Sequence, residues 1–247
     1  MQTKVNPWMV STLLLAGLVI GFGVAQLPAF GAAAKEGAQG ERPAAVQPKP
    51  APSQAELPSA ANEINLAPIS TSDHVRGPAN AKITLVEFSD TECPFCKRFH
   101  STMQQVLQKY PNDVRWVYRH FPLDQLHSKA RKEAEATECA NELGGPETFW
   151  AYIDRLFEVT PSNDGLDPQQ LPIIAAYVGL DKSKFASCLA SGKYAQHVAD
   201  DLAGAEAAGG RGTPYTILLA PDGSKYPLSG ALPFEKVAAT IEQALGK

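Results

Sequence analysis

The sequence has no excess of positive charge. Its 22 lysine and arginine residues stand against 26 aspartate and glutamate residues, which gives a formal net charge of −4. A chain with this balance has no overall basic field to attract nucleic acid. The densest basic cluster, Lys129, Arg131 and Lys132, is followed directly by Glu133 and Glu135, which is typical of a solvated helix face. We therefore expect no nucleic-acid partner.

Cysteine is also scarce, with four residues in a chain of 247, and this excludes a small domain held together by disulfides. Cys93 and Cys96 are close in space whatever the fold, whereas Cys139 and Cys188 stand apart from them. The second pair lacks the spacing of a zinc knuckle, so a zinc site built from all four cysteines is not expected. We assign no catalytic or metal-binding role to the five histidines, and we expect neither a metal nor a cofactor.

Charged residues are absent between Lys4 and Lys35. Within this stretch, the apolar segment from Trp8 to Leu27 would be about 30 Å long as a helix, which is enough to cross a bilayer. We predict that residues 1–30 form a transmembrane signal-anchor; the alternative is a cleavable signal peptide that ends in the small residues 32–34. Lys4 and the terminal amine favour a cytoplasmic N-terminus. The rest of the chain is then expected on the periplasmic or extracellular side, and it is secreted if the segment is cleaved.

Residues 35–62 contain no aromatic residue and almost none that is large and apolar. The five prolines from Pro43 to Pro58 exclude a continuous helix. Such a composition is typical of a semi-extended tether. We predict a disordered, proline- and alanine-rich linker over residues 31–68, followed by a folded domain over residues 69–247.

The folded domain begins with an apolar run, residues 81–89, which is rich in β-branched residues and has the length of a buried strand. A helical period follows, and its apolar face contains Phe95, Phe99, Met103, Val106, Leu107 and Tyr110. Residues 114–121 alternate between two faces, which predicts a second strand.

The rest of the domain starts with residues 123–208, which are helical in composition and are interrupted by glycines and prolines. Strand patterns return at residues 215–220 and, after a Pro-Asp-Gly turn, at residues 225–230. An amphipathic helix then extends from Phe234 to Leu245. The predicted fold is therefore α/β: strand, helix and strand, then a helical insertion, then two strands and a helix.

The segment Cys93-Pro94-Phe95-Cys96 lies where the first strand leads into the first helix. This position puts Cys93 at the helix N-terminus, where backbone N–H groups and the helix dipole stabilise a thiolate. Pro94 suits the first helical turn, because its missing N–H has no partner there in any case. Cys96 follows one turn later and is placed to attack a mixed disulfide formed on Cys93. The pattern predicts a redox-active dithiol.

Two further features accompany the dithiol. Glu87 lies in an otherwise apolar strand, where a buried carboxyl would have a raised pKa and could shuttle a proton for Cys96; the alternative is an exposed position at the strand edge. Thr213-Pro214 comes directly before a strand. A cis proline there would leave the Thr213 backbone free to pair with an extended peptide; the alternative is an ordinary proline at a strand entry.

The segments VEFSDTECPFCKRFH, RHFPL, FWAYIDRLF and GTPYTILL, in this order, resemble the DsbA-like branch of the thioredoxin superfamily. The resemblance covers roughly residues 69–245 and implies a thioredoxin-like fold with its helical insertion at about residues 123–208. It also implies that Cys93 is the exposed nucleophile, that Cys96 is the buried resolving thiol and that Glu87 is buried. By the same resemblance, a cis-proline loop faces the dithiol, and the residues that contact substrate are Pro94, Phe95, Thr213 and Pro214.

Cys139 and Cys188 each lie among small and apolar residues of the helical region. One interpretation is two buried, inert thiols. The other is a structural disulfide that joins two helices, and an exported setting favours it.

The resulting hypothesis is a membrane-tethered, extracytoplasmic thiol–disulfide oxidoreductase. We expect an oxidase that introduces disulfides into exported, cysteine-containing polypeptides through the couple of Cys93 and Cys96. The resemblance implies reoxidation by a quinone-linked membrane partner. A disulfide reductase or isomerase is the first alternative. A non-catalytic carrier that binds a soft metal ion or a peptide is the second.

Overall fold

The computed structural model describes residues 58–61 and 63–246. The predicted membrane anchor, residues 1–30, and most of the predicted linker lie outside these described residues. Among the residues described, we find no helix with the length and apolar character that crossing a bilayer requires.

A five-stranded sheet forms the centre of the folded part. Its strands are β1 (His74–Arg76), β2 (Ile83–Ser89), β3 (Val114–His120), β4 (Tyr215–Leu219) and β5 (Lys225–Ser229). Their spatial order is β1-β3-β2-β4-β5. Strands β2 and β3 are parallel, and the other neighbours are antiparallel. The apolar run predicted to be a strand is thus the central β2, which is buried on both faces.

Seven helices accompany the sheet in the described part of the chain. They are α1 (Pro94–Lys109), α2 (Ala130–Gly144), α3 (Pro146–Val159), α4 (Gln170–Tyr177), α5 (Lys182–Ser191), α6 (Ala195–Ala207) and α7 (Phe234–Ala244). Helices α2 to α6 are inserted between β3 and β4. The predicted thioredoxin-like α/β fold with a helical insertion is therefore confirmed.

The two faces of the sheet bury different residues of β2, because successive side chains of a strand point to opposite sides. Ile83 and Leu85 belong to the core that contains residues of α1, α3 and α7. Val86 and Phe88 belong to the core on the opposite face of the sheet. Residues of α6 and of the segment before β1 belong to the same core. The same alternation directs Glu87 toward the α1 side, where both cysteines of the dithiol also lie.

The helical insertion has a small core of its own, formed by residues of α2 to α5 and the loops between them. A disulfide between Cys139 of α2 and Cys188 of α5 crosses this core, with an S–S distance of 2.01 Å and a sequence separation of 49. The insertion is therefore fixed both by apolar packing and by a covalent link.

The structure differs from the sequence-based expectations in β1, in the predicted linker and in β3. Strand β1 has three residues, too few for a periodic pattern, and it was not predicted. Ile64 and Leu66 pack against the core on the α6 side, so ordered chain extends into residues predicted to be linker. Strand β3 is covered on both faces; its Arg119 is buried because it forms an ion pair with Asp73, at 2.6 Å.

Other side chains on the helices also differ from expectation. Phe95 was placed on the apolar core face of α1, but it is 52% exposed, because it lies in the first turn, where the helix reaches the surface. His100 lies outside the apolar face predicted for α1, but it is buried, because α3 covers it and its Nε2 lies 2.7 Å from Asp154 Oδ1. Glu133 and Glu135 are buried as well, so the polar stretch of α2 is not a fully solvated face.

The disulfide of the insertion gives a prediction for stability. In a Cys93→Ala/Cys96→Ala background, where Cys139–Cys188 is the only disulfide, we expect reduction to lower the free energy of unfolding by about 2–4 kcal/mol, because the unfolded chain gains freedom when a loop is opened. Urea unfolding of the oxidised and reduced forms measures the difference. The control is the same chain with Cys139→Ala/Cys188→Ala, whose stability should not respond to reductant. Equal stability of the oxidised and reduced forms would contradict the prediction.

Candidate active site

The dithiol lies at the junction between β2 and α1. Cys93 is the N-cap residue of α1, with an extended backbone (φ −77°, ψ 121°), and Pro94 follows at the first helical position. The Lys97 N–H donates to the Cys93 carbonyl at 3.0 Å, so the first helical turn closes across the motif. The junction predicted from the sequence thus has the geometry of a helix N-terminus, with free N–H groups around the Cys93 sulfur.

The two thiols are less different in exposure than the resemblance implied. Cys96 is fully buried, as expected for a resolving thiol, but Cys93 is also only 3% exposed. The reason is the loop before β4, which covers it: the Cys93 sulfur lies 3.6 Å from the Thr213 carbonyl oxygen. Cys93 is therefore a surface-adjacent thiol at the edge of a covered site.

The electrostatic surroundings shift the pKa values of the two thiols in opposite directions. A hydrogen bond from the Cys96 thiol is the largest influence and lowers the pKa of Cys93 to about 6. Burial opposes this, and hydrogen bonds from Thr213 and from the backbone N–H groups of Phe95 and Cys96 add to the lowering. Burial, followed by the bond to Cys93 and its charge, raises the pKa of Cys96 well above its usual value. At neutral pH Cys93 is a thiolate and Cys96 is a thiol.

Glu87 is fully buried in the centre of β2. Burial raises its pKa to about 8, and contacts with Ser89 and Trp116 offset only part of that rise. The charge of Glu87 is one of the influences that raise the pKa of Cys96, so the two groups are electrostatically linked. The structure therefore places Glu87 as a protonated carboxyl beside the buried thiol at neutral pH.

The Thr213–Pro214 peptide bond is cis. It meets the dithiol because β4 runs antiparallel to β2, which sets Tyr215 at the start of β4 opposite Phe88 near the end of β2. Residues that follow β2 and residues that precede β4 are thus brought together, although they lie 120 positions apart in the chain. Of the predicted site residues, Cys93, Cys96, Glu87, Pro94, Phe95, Thr213 and Pro214 share this end of the sheet.

Asp90 holds the loop between β2 and α1, and it is not among the site residues that the sequence predicts. Its Oδ1 accepts from the Glu92 N–H at 2.8 Å. Its Oδ2 accepts from the Leu123 N–H at 2.7 Å and lies 2.9 Å from His127 Nδ1. The Asp90 N–H in turn donates to the Cys96 sulfur at 3.4 Å. An acidic residue directly between an apolar strand and a CxxC motif is the signal that could have identified it.

Two further buried carboxyls lie close to the dithiol and to each other. Glu92, which precedes Cys93, is fully buried, and so is Glu133 of α2. Burial, with the hydrogen bond and charge of Glu92, raises the pKa of Glu133 to about 9. Nothing in the sequence pattern indicated this pair, because Glu133 comes from the insertion. At neutral pH Glu133 is therefore protonated, as Glu87 is.

These groups support disulfide exchange. A thiolate at Cys93 can attack or leave, and a protonated Cys96 can resolve a mixed disulfide once it loses its proton. The remaining predicted pair, Cys139 and Cys188, lies in the insertion as a separate disulfide. The site thus combines one thiol with a lowered pKa, one buried thiol with a raised pKa and buried carboxyls with raised pKa values.

Comparisons with known proteins agree with this geometry. Residues 70–243 match the family model described as thioredoxin. Among solved structures, DsbA2 of Pseudomonas aeruginosa is 26% identical, with a TM-score of 0.60, over 71% of this chain and 96% of that chain. BdbD of Bacillus subtilis, in its oxidised form, is 24% identical, with a TM-score of 0.64, over 74% of this chain and 98% of that chain.

A curated relative of a different kind is the Na(+)/H(+) antiporter NhaA 3 of Salinispora tropica, 38% identical over 142 residues, which are 58% of this chain and 21% of the antiporter. The chain spans about a fifth of the length of the curated relatives that it matches. The family match covers most of the described domain. The chain therefore belongs to the thioredoxin family, and the predicted resemblance to its DsbA-like thiol–disulfide oxidoreductases is confirmed.

The lowered pKa of Cys93 predicts the pH dependence of its reactivity. In the reduced protein, we expect alkylation of Cys93 by iodoacetamide to reach half its maximal rate near pH 6, because the thiolate is the nucleophile. In Cys96→Ala the midpoint should move upward, since the largest stabilising hydrogen bond is lost. Mass spectrometry of the labelled protein gives the rates. A midpoint near the ordinary thiol value of about 8.5 in both proteins would contradict the electrostatic account.

The raised pKa of Glu87 predicts a stability effect. Between its ordinary pKa of 4.5 and its folded pKa of about 8, the unfolded state releases a proton that the folded state keeps, so the folded state loses stability as pH rises through this window. Glu87→Gln cannot ionise, so we expect it to be more stable than the wild type by about 2–4 kcal/mol near pH 7, with little difference near pH 4. Urea unfolding at both pH values tests this, with Glu158→Gln at an exposed position as the matched control. An equal effect of Glu87→Gln at the two pH values would refute the ionisation argument.

Proposed function

We propose that this DsbA-like thiol–disulfide oxidoreductase of the thioredoxin family acts as an oxidase, which introduces disulfides into exported polypeptides through Cys93 and Cys96. The observation that carries the direction is the pKa of Cys93, lowered to about 6. A stabilised thiolate favours the reduced enzyme, so the disulfide form is the stronger oxidant. The hydrogen bond from Cys96 and the N–H groups at the start of α1 supply that stabilisation.

The reaction begins with the disulfide between Cys93 and Cys96. A substrate thiolate attacks the Cys93 sulfur, the enzyme S–S bond breaks, and Cys96 leaves with the electron pair. A second substrate thiolate then attacks the substrate sulfur of the mixed disulfide, and Cys93 leaves as a thiolate. The substrate loses two electrons and gains a disulfide, and the enzyme ends as a dithiol.

Glu87 is proposed to supply the proton that Cys96 takes up when it leaves. Its pKa of about 8 keeps it protonated at neutral pH, and the high pKa of Cys96 makes that sulfur the stronger base. In the reverse direction the same carboxylate accepts the proton of Cys96. This role requires both groups to be buried, since water would otherwise exchange the proton directly.

The surface around Cys93 is proposed to bind an extended, unfolded polypeptide. Phe95 is 52% exposed beside the thiol, with the Arg98 guanidinium 5.1 Å from its ring centre. The cis Thr213–Pro214 bond presents backbone next to Cys93, where a substrate strand can pair with it. Pro94 completes the surface. Contacts with backbone and one apolar ring suit many different substrates.

Reoxidation is proposed to come from a quinone-linked membrane partner. Residues 1–30 would anchor the chain in the membrane and residues 31–68 would tether the domain, which then acts on the extracytoplasmic side. A tether of this kind raises the effective concentration of the domain near a membrane partner. The compartment suits the disulfide of the insertion, since such bonds persist in oxidising surroundings.

A reductase or isomerase is the alternative, because the lowering of the Cys93 pKa is intermediate in size. The pKa of Cys93, at about 6, lies between the values of about 3.5 and about 7 that accompany strongly oxidising and reducing members of this superfamily. The soft-metal carrier has less support. Among the described residues, the cluster arranged to hold a metal ion includes neither Cys93 nor Cys96.

The equilibrium of the Cys93–Cys96 pair with glutathione tests the direction. We expect a reduction potential less negative than about −200 mV, because the thiolate is stabilised in the reduced form, whereas a value near −270 mV would be that of a reductase. Trapping of the thiols followed by mass spectrometry measures the ratio. The matched control is Cys139→Ala/Cys188→Ala, which keeps the dithiol and should give the same potential.

Activity with a reduced, unfolded substrate gives an independent check. Cys93→Ser should not oxidise substrate thiols, whereas the Cys139→Ala/Cys188→Ala variant should. Substrate oxidation by Cys93→Ser at the rate of the wild type would remove the mechanism. A potential near that of thioredoxin, together with loss of activity in Cys93→Ser, would keep the site and replace the oxidase with a reductase.

A further inference from the structure

A cluster of three histidines and one glutamate lies outside the dithiol site. His74 comes from β1, His120 from the end of β3, Glu138 from α2 and His197 from α6. One side-chain atom of each residue lies within 4.8 Å of the corresponding atoms of the other three. His74, His120 and Glu138 are buried, and the side chain of His197 is 27% exposed. Four elements that are distant in sequence thus direct nitrogen and oxygen atoms to one point.

One oxygen atom, Oε1 of Glu138, lies between the three histidines of this His–Glu cluster. Oε1 of Glu138 lies 2.7 Å from Nε2 of His74, 2.8 Å from Nε2 of His120 and 3.5 Å from Nε2 of His197. All three rings therefore present the same nitrogen to the same oxygen. A carboxylate oxygen has two lone pairs and accepts two good hydrogen bonds. Those two come from His74 and His120, and His197 lies farther away, at 3.5 Å.

A four-coordinate metal ion explains all four groups together. With bonds of about 2.0–2.1 Å, the ligand atoms of a tetrahedral zinc site lie about 3.3 Å apart. The distances in the His–Glu cluster, from 2.7 Å to at most 4.8 Å, bracket that value. Small rotations of the side chains bring the four atoms to the required spacing, with the ion at their centre.

The chemical nature of the donors selects the ion. Imidazole nitrogen suits zinc and neighbouring transition metals, and a carboxylate oxygen completes the set, whereas calcium and magnesium prefer oxygen ligands alone. Four protein ligands leave no open position, which is the form of a structural zinc site. We propose that His74, His120, Glu138 and His197 bind one Zn²⁺ ion, which fastens the helical insertion to the sheet.

The surroundings hold the ligands in place before an ion binds. The ring of His74 stacks on Phe149 of α3, with ring centres 3.5 Å apart. The backbone N–H of His120 donates to Asp201 Oδ2 at 2.9 Å, and the same oxygen lies 3.9 Å from Nε2 of His197. The stacking on Phe149 orients the ring of His74, and support of this kind from neighbouring groups strengthens metal binding. The other ring nitrogen of His120, Nδ1, is buried and has no hydrogen-bond partner among the described residues. The ion would connect β1 and β3 with α2 and α6.

The first experiment uses Zn²⁺ itself on the full chain without an affinity tag. The protein is stripped with a chelator, and the two active-site thiols are kept as a disulfide so that they cannot bind metal. We expect one equivalent of Zn²⁺ per chain, bound at or below roughly micromolar concentration in competition with a chromophoric chelator. Ca²⁺ and Mg²⁺ in excess should not displace it. None of these measurements depends on oxidoreductase activity.

Variants assign the binding to the His–Glu cluster. His197→Ala and Glu138→Gln should each weaken Zn²⁺ binding by at least about 100-fold, since loss of a supporting neighbour alone weakens metal sites by about 10–100-fold. The matched control is His100→Ala, which removes another buried histidine with a carboxylate 2.7 Å from its Nε2, and it should bind as the wild type does. Circular dichroism verifies the fold of each variant, and Zn²⁺ should raise the melting temperature of the wild type and of His100→Ala alone.

If the variants do not fold, Co²⁺ in the wild type decides the question, because a four-coordinate site gives intense visible absorption and an adventitious six-coordinate ion gives weak absorption. Absence of stoichiometric Zn²⁺ binding in the wild type would overturn the proposal. Binding that is equally strong in His197→Ala and Glu138→Gln would show an adventitious ion only. In either case the His–Glu cluster is a hydrogen-bonded buried carboxylate and not a metal site.

Discussion

The Cys93 sulfur lies at the N-terminus of a helix that begins where the central strand ends, and the rest of the site depends on this position. Free N–H groups there, with the hydrogen bond from Cys96, lower the pKa of Cys93 to about 6. The antiparallel pairing of β4 with β2 brings the cis-proline loop over the same sulfur. Each feature alone is common in proteins. Their meeting at the end of β2 gives a stabilised thiolate that is covered by the loop before β4.

Buried carboxyls are the second property of this end of the sheet. Glu87, Glu92 and Glu133 have almost no exposure, and burial raises the pKa values of Glu87 and Glu133. Such groups reduce the stability of the fold at neutral pH. Their presence beside two thiols whose pKa values differ widely is typical of functional sites, where stability is lower because proton transfer requires it. Asp90 organises the loop that holds the thiols, so it belongs to the same site.

Helix α2 links the site to the insertion. Glu133 faces the dithiol region, Glu138 lies in the His–Glu cluster, and Cys139 forms the disulfide to α5. These three residues of one helix thus contact the active site, the sheet and the rest of the insertion. In the proposed function, this arrangement would hold the insertion rigidly over the substrate-binding end of the sheet. Zn²⁺ in the His–Glu cluster would add a second fixed link beside the disulfide.

The sequence by itself determined the central strand, the helices, the dithiol and the position of the proline loop, because these depend on local patterns of two to four residues or on adjacent positions. It did not determine β1, since a strand of three residues is too short to show a periodic pattern. It also did not determine the exposure of Phe95 or the burial of His100, since the pattern of a helix does not reveal which elements cover each of its faces. The near-complete burial of Cys93 was decided by a loop 120 residues away. The grouping of Asp90 with His127, of Glu92 with Glu133 and of the three histidines with Glu138 was decided only by tertiary packing, because each group joins elements whose contact no local pattern records.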